Sequence, residues 1–164
     1  DVRALREPGA LETAAELQVS VCLMHMLGEP RTMQVDPRYG DVVSEVREFL
    51  HSRARACTEA VLDRSRIYLD PGFGFGKSVE HNLTLLRNLD ALCSEYPVAV
   101  GLSRKSMIGK LTGLKKGQRL HASVALALLA VSNGASLVRV HDVAATRDAL
   151  RIYESVYPPD RPFG

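Results

Sequence analysis

Four short runs of apolar and β-branched residues punctuate the chain, and each gives way to turn residues and then to a segment with helical spacing. The first run, Val19 to Met24, is followed by Gly28, Pro30 and a helix expected over Val42 to Val61, with Val42, Val46, Phe49 and Leu50 on one face. The second, Arg66 to Leu69, stops at Asp70-Pro71. A glycine-rich loop then leads to a helix opening at Ser78, a good cap, whose stripe is Leu85, Leu86, Leu89, Leu92 and Tyr96. The third run is Pro97 to Leu102. Its sequel, Leu120 to Asn133, is rich in Ala and Leu on nearly every side, the pattern of a buried helix, and Gly134 is placed to end it. The fourth run is Leu137 to Val140, and a last helix from about Ala144 to Tyr157 leads into a Pro-rich tail. Ahead of the first strand, Pro8 to Leu17 reads as one more helix, with Pro8 suited to its first turn.

This βαβα rhythm belongs to a parallel sheet. Four and a half units without a topological break match half of a (β/α)8 TIM barrel, whose usual length is about 250 residues. The fold class expected is therefore α/β, a partial (β/α)8 barrel covering roughly the last four βα units, in one domain over residues 1–164. The chain starts without methionine, ahead of a helix that has no strand of its own, and this reads as a barrel whose N-terminal strands are missing.

Composition narrows the partners. With a net charge of +2 and scattered basic residues there is no electrostatic stripe for nucleic acid, so the expected ligand is small. No run of about 18 apolar residues suits a membrane, and no signal-peptide layout opens the chain. Cys22, Cys57 and Cys93 are odd in number and widely spaced, which fits reduced thiols in the cytoplasm that serve as packing residues. The five histidines lack the i,i+4 pairing of a helical metal site, and no residue of the chain is read as a metal ligand.

In parallel α/β folds ligands gather where the strands end, so the informative positions are those at which each run turns polar. These ends are Met24-His25-Met26, Asp70-Pro71-Gly72, Gly101-Leu102-Ser103-Arg104-Lys105 and Arg139-Val140-His141-Asp142. Strand alternation points Arg139 and His141 to the same side, where a guanidinium beside an imidazole makes an anion clamp. Ser103-Arg104-Lys105-Ser106 places two cations at a strand end, in position to hold a phosphate or sulfate. Lys110, Lys115 and Lys116 read as solvated surface. Asp70 either caps its loop or accepts two hydrogen bonds from a guanidine-like edge such as a pterin presents. Gly72-Phe73-Gly74-Phe75-Gly76-Lys77-Ser78 resembles a phosphate loop only in its ending, because a proline, Pro71, stands where that loop needs its first glycine. The two Phe residues either offer an aromatic face to a flat ligand or pack the loop, and Met24 and Met26 either line a pocket or belong to the core.

The strings Val21-Cys22-Leu23-Met24-His25-Met26, Asp70 to Lys77, Gly101 to Gly109 and Arg139 to Val143, taken in that order and spacing, closely resemble the bacterial dihydropteroate synthases. That resemblance spans essentially the whole chain. It implies a (β/α)8 barrel whose mouth binds a pterin pyrophosphate deep inside and p-aminobenzoate nearer the rim, the site that sulfonamides mimic. Carried over position by position, it implies that Asp70 and Lys105 hold the pterin ring, lined by Met24, Phe75 and Gly101. Arg139 and His141 would bind the leaving pyrophosphate with Mg²⁺, and Ser103 with the stem of Lys105 would border the p-aminobenzoate site. It also implies a cytoplasmic homodimer at full length. The family's first four strands, with a metal-orienting Asn, two mobile loops and further pterin-binding Asp and Asn residues, have no counterpart in this sequence. Two rivals differ in prediction: a methyltetrahydrofolate-binding methyltransferase domain would grip a pterin without needing pyrophosphate, and a non-catalytic half-barrel would leave sheet edges unpaired.

Overall fold

The computed structural model describes residues 1–158, so the tail beyond Pro158 lies outside the described residues. Two strands, β1 (Val21–Met24) and β2 (Ile67–Asp70), pair in parallel with Val21 opposite Ile67 and Met24 opposite Asp70. A second parallel pair joins β3 (Ala99–Val100) to β4 (Leu137–Val138). The two pairs meet where Leu69 bridges Val98 and its N–H donates to the Pro97 carbonyl at 3.0 Å. Each strand therefore neighbours the next one in sequence and all run the same way, which brings the four polar strand ends to one side.

Helices supply the crossovers. Helix α1 (Ala10–Leu17) starts two residues later than the Pro8 pattern suggests, because Gly9 takes a left-handed conformation at its cap. Helix α2 (Val42–Glu59) opens on Asp41, whose carboxylate accepts from the N–H groups of Val43 and Ser44, and it buries Val42, Val46, Leu50, Ala54 and Cys57 against β1 and β2. The helix after β2 is interrupted, giving α3 (Val79–Arg87) and α4 (Asp90–Cys93). The break falls at Asn88, whose side-chain amide donates to the Thr84 carbonyl at 2.9 Å. Its apolar stripe survives the break, with Leu85, Leu86, Leu89, Leu92 and Tyr96 all buried.

After β3 comes a short helix, α5 (Ser106–Thr112), and then α6 (Leu120–Ser132) and α7 (Val143–Val156) on either side of β4. Helix α6 departs from the sequence expectation of burial on nearly every side. Only Ser123, Ala127 and Ala130 are buried, and Leu129 is 52% exposed. Small residues supply its fully buried positions, Leu126 packs against the core while only partly buried, and Leu129 faces outward, so an all-round apolar sequence yields a one-sided helix. The core runs between β1–β3 and the inner faces of α2, α3 and α4, and includes Leu23, Leu50, Ile67, Leu69, Leu85 and Val98. Among the described residues no helix is long and apolar enough to cross a membrane.

Candidate active site

The loop that follows β2 lies directly on the end of β1. Gly72 has φ +68°, and a Cβ there would stand 1.9 Å from the His25 carbonyl oxygen, so only glycine fits. Its N–H donates to Asp70 Oδ1 at 2.7 Å, so Asp70 does cap its loop, and the same carboxyl also lines a cavity. Burial pushes this carboxyl up from the ordinary range, while the Gly72 N–H and the charges of Arg139, Lys105 and Lys77 pull it back toward carboxylate.

The two Phe residues of the loop part company. Phe73 is in the core, whereas Phe75 turns to the strand ends and carries the Lys105 ammonium 4.3 Å from its ring centroid. The Lys105 stem runs along Gly74, where a Cβ would lie in ordinary contact with Lys105 Cδ at 3.4 Å, and it is the φ of +77° that calls for glycine there. Burial lowers the Lys105 amine, and the Arg139 charge lowers it further against the pull of Asp70.

At the end of β3, Gly101 supports the Arg139 guanidinium, and Ser103 reaches the neighbouring strand end. Ser103 Oγ accepts from the His141 backbone N–H at 3.2 Å and lies 3.0 Å from His141 Nδ1. These two contacts fix the imidazole ring of His141 at the edge of the cationic cavity. Arg104 sits at φ +57°, an uncommon conformation for a residue with a Cβ, and makes a two-pronged ion pair with Asp142 at 2.6 and 3.1 Å. Arg119 Nη1 donates to the carbonyls of Arg104 and Lys105 at 3.1 and 3.2 Å, and Ser123 Oγ accepts from the Arg104 N–H at 3.0 Å. This bracing turns Lys105 inward.

Two cavities result. The first, about 360 Å³, is lined by Cys22, Tyr68, Asp70, Ala99, Val100 and Arg139 among others. The second, about 320 Å³, is lined by Phe75, Gly101, Ser103, Arg104, Lys105, Lys116, Arg139 and His141. Arg139 belongs to both, so a mixed apolar pocket with one carboxylate adjoins a strongly cationic one. Of the residues singled out in the sequence, Asp70, Phe75, Gly101, Ser103, Lys105, Arg139 and His141 line these cavities. Met24 is buried beneath Gly72, its Cγ 3.3 Å from where a Cβ would be. Cys57 is buried packing as expected, but Cys22 also faces the Asp70 cavity. Lys116 is exposed, as expected, and the 3-10 turn after α5 also brings it to the lining of the cationic cavity.

Sequence reading missed a second layer. Arg119, Ser123 and Asp142 brace the Lys105 loop; Arg119 and Ser123 showed only as polar residues at the start of an otherwise apolar helix, and Asp142 only as part of a polar strand end. Lys77, 3% exposed, places Nζ 2.9 Å from His25 Nδ1, a pairing across 52 residues that no local pattern announces. A resident magnesium does not fit the donor set: among the described residues no group of three His, Cys, Asp or Glu side chains stands together, and Asp70 is ringed by cations.

The profile of pterin-binding enzymes matches residues 1–141. Over 156 residues the chain is 52% identical to the dihydropteroate synthase of Haemophilus influenzae, covering 94% of this chain and 57% of that one. A dihydropteroate synthase of Yersinia pestis, solved as a complex with a sulfonamide drug, superposes with a TM-score of 0.92 at 45% identity over 95% of this chain and 57% of its own. One from Xanthomonas albilineans, in complex with 7,8-dihydropteroate, does so with 0.89 at 51% over 96% and 58%. The chain thus spans little more than half the length of these relatives. Its match in sequence over most of its length, with the Asp70 pocket at the strand ends, places the chain in the family of pterin-binding enzymes.

Proposed function

We propose that this chain belongs to a dihydropteroate synthase, which condenses 6-hydroxymethyl-7,8-dihydropterin pyrophosphate with p-aminobenzoate to give 7,8-dihydropteroate and pyrophosphate in folate biosynthesis. The observation that carries this reading is the sharing of Arg139 by the Asp70 pocket and the cationic cavity, which suits one substrate with a flat guanidine-like end and a diphosphate end. The Xanthomonas relative, solved with 7,8-dihydropteroate, supports the product, and the Yersinia relative supports sulfonamides as inhibitors.

In this reading the Asp70 carboxylate accepts two hydrogen bonds from the pterin's ring N–H and amino group. Those donors favour the charged carboxylate and offset its burial. Lys105, held against the Phe75 ring, donates to the pterin's acceptor edge, and Gly101 and Met24 complete the wall. The C–O bond between the pterin methylene and the diphosphate breaks, and its electron pair leaves with the diphosphate. Arg139 and the His141 imidazole stabilise that charge as it develops. The amine nitrogen of p-aminobenzoate, bordered by Ser103 and the Lys105 stem, forms the new C–N bond and gives up a proton to solvent. No covalent enzyme intermediate is required. Mg²⁺ stays in this reading only as an ion that the diphosphate carries, and no step is assigned to it.

The same reading takes the four strands as consecutive βα units of a (β/α)8 barrel, in a cytoplasmic homodimer. Exposed apolar side chains such as Leu129 on α6 and Ile152 on α7 give such a dimer surface to bury. A methyltransferase-like pterin binder is the second reading, but the cationic cavity beside the pterin pocket would then have no anion to hold. Pyrophosphate release by the full-length protein from the pterin substrate and p-aminobenzoate decides between them. Release that is lost on Lys105→Ala or Arg139→Ala supports the synthase, and no release from a folded protein sinks it.

A further inference from the structure

Lys77 makes no contact with either cavity, and its amine is committed wholly to the chain around it. Nζ lies 2.9 Å from His25 Nδ1, 3.1 Å from the Phe75 carbonyl and 3.2 Å from the Gly72 carbonyl, with the His25 carbonyl at 3.5 Å. Two of these partners belong to the end of β1 and two to the loop after β2. The chain segments touch backbone to backbone here: a Cβ at Gly72 would overlap the His25 carbonyl, and one at Gly76 would come 2.5 Å from the Leu27 carbonyl. A protonated lysine has donors only, so opposite the charged amine His25 Nδ1 is the acceptor. The imidazole is itself fixed by an edge contact with the Phe49 ring at 5.1 Å.

An amine buried to this degree opposes folding unless all its donors are used, and a methionine of similar size would pack there without that cost. What the amine adds is direction. The loop it ties down carries Phe75 against the Lys105 ammonium and Gly74 against the Lys105 stem. Asn82 supports the same loop from α3, its Oδ1 accepting from Gly74 N–H at 2.7 Å. We infer that Lys77 and His25 act as a positioning pair that staples the Gly72–Gly76 loop to the end of β1 and so sets the Phe75–Lys105 wall against which the pterin binds. This rests on the pterin reading of the site. Neither residue is a catalytic residue, because neither reaches the cavities.

The test uses the full-length protein with Lys77→Met, His25→Leu and His25→Gln. Steady-state KM values are measured separately for the pterin substrate and for p-aminobenzoate, and amide hydrogen exchange is followed over residues 72–76. Lys77→Met is expected to raise the pterin KM by about tenfold, since small displacements of a supporting shell cost that much, with a clearly smaller rise in the p-aminobenzoate KM, whose site only the Lys105 stem borders. Exchange over 72–76 quickens by about tenfold in the same variant, as local opening becomes easier. His25→Leu follows the same pattern, and His25→Gln, which keeps an acceptor for the amine, stays near the unsubstituted protein. A merely structural loss would lower the active fraction without separating the two KM values. Folded Lys77→Met with an unchanged pterin KM and unchanged exchange overturns the inference; should that variant fail to fold, the same null result in His25→Leu overturns it. An unsubstituted protein that does not bind the pterin overturns the assigned reaction instead, and the exchange comparison still decides whether the staple exists.

Discussion

The Arg139 guanidinium lies across Gly101, so close that a Cβ at residue 101 would stand 2.8 Å from Nη2 and 3.3 Å from Cζ. The glycine is thus the floor on which the cation shared by both cavities rests. Because the clash is with the far end of a flexible side chain, Gly101→Ala should fold normally and swing the guanidinium aside. A charge-assisted contact is worth about 1.5–3 kcal/mol, so kcat/KM for the pterin pyrophosphate should fall by about ten- to a hundredfold. Unchanged kinetics in a folded Gly101→Ala would remove Arg139 from its assigned place on the diphosphate.

The brace under Lys105 gives a stability prediction. Ser123 Oγ accepts from the Arg104 N–H at 3.0 Å and donates to the Arg119 carbonyl at 2.6 Å, and the residue is 3% exposed. Ser123→Ala leaves the Arg104 N–H, already on an uncommon backbone conformation, without that acceptor. The expected loss is about 1–3 kcal/mol in urea unfolding, the cost of orphaning a buried donor. A loss within about 0.5 kcal/mol, the range of an ordinary surface change, would show that the brace is dispensable.

Stability should also fall in acid through His25. Burial, and then the Lys77 charge, lowers its imidazole from 6.5 to about 3. The unfolded chain therefore takes up a proton first, so this contribution is present above pH 6.5 and is lost as the pH falls from there toward 3. The slope from this one group is at most about 1.4 kcal/mol per pH unit. On the alkaline side Lys77, lowered by burial to about 7 from 10.5, sheds its proton in the folded state first, so its term raises stability with pH across that interval. Denaturant midpoints between pH 4 and 7 should steepen in the unsubstituted protein and flatten in His25→Gln. Identical curves would mean that the imidazole titrates normally.

These predictions rest on residues of very different legibility. The strand ends were readable because an apolar run that turns polar marks its own terminus, which is why Asp70, Lys105, Arg139 and His141 stood out before any coordinates. The helix after β2 was readable as a stripe but not as two pieces, since only the Asn88 side chain, donating to the Thr84 carbonyl, decides where it breaks. Phe73 and Phe75 look alike in sequence and separate only when the positive φ values of Gly72 and Gly74 send one ring inward and the other to the site. The pairings of Lys77, His25, Arg119 and Asp142 stayed hidden for a different reason. Their partners lie many residues away, and a charged residue read locally defaults to solvent.

Lys116 is solvated as local reading expects, yet it carries a prediction of its own. It sits in the turn Lys116–Gln118 between α5 and α6, where it lines the cavity that Arg139 and His141 also line. Being exposed, it contributes through a screened field rather than through a fixed contact, so its effect must depend on salt. Lys116→Glu should raise the KM for the pterin pyrophosphate by about two- to fivefold at low ionic strength, in keeping with a cation whose loss costs roughly 0.5–1 kcal/mol. The screening length shrinks from about 10 Å at 0.1 M salt to about 3 Å at 1 M, so the difference should nearly vanish at the higher concentration. A penalty that persists undiminished in 1 M salt would mean that Lys116 touches the substrate directly, and no penalty at any salt would return it to the solvated surface.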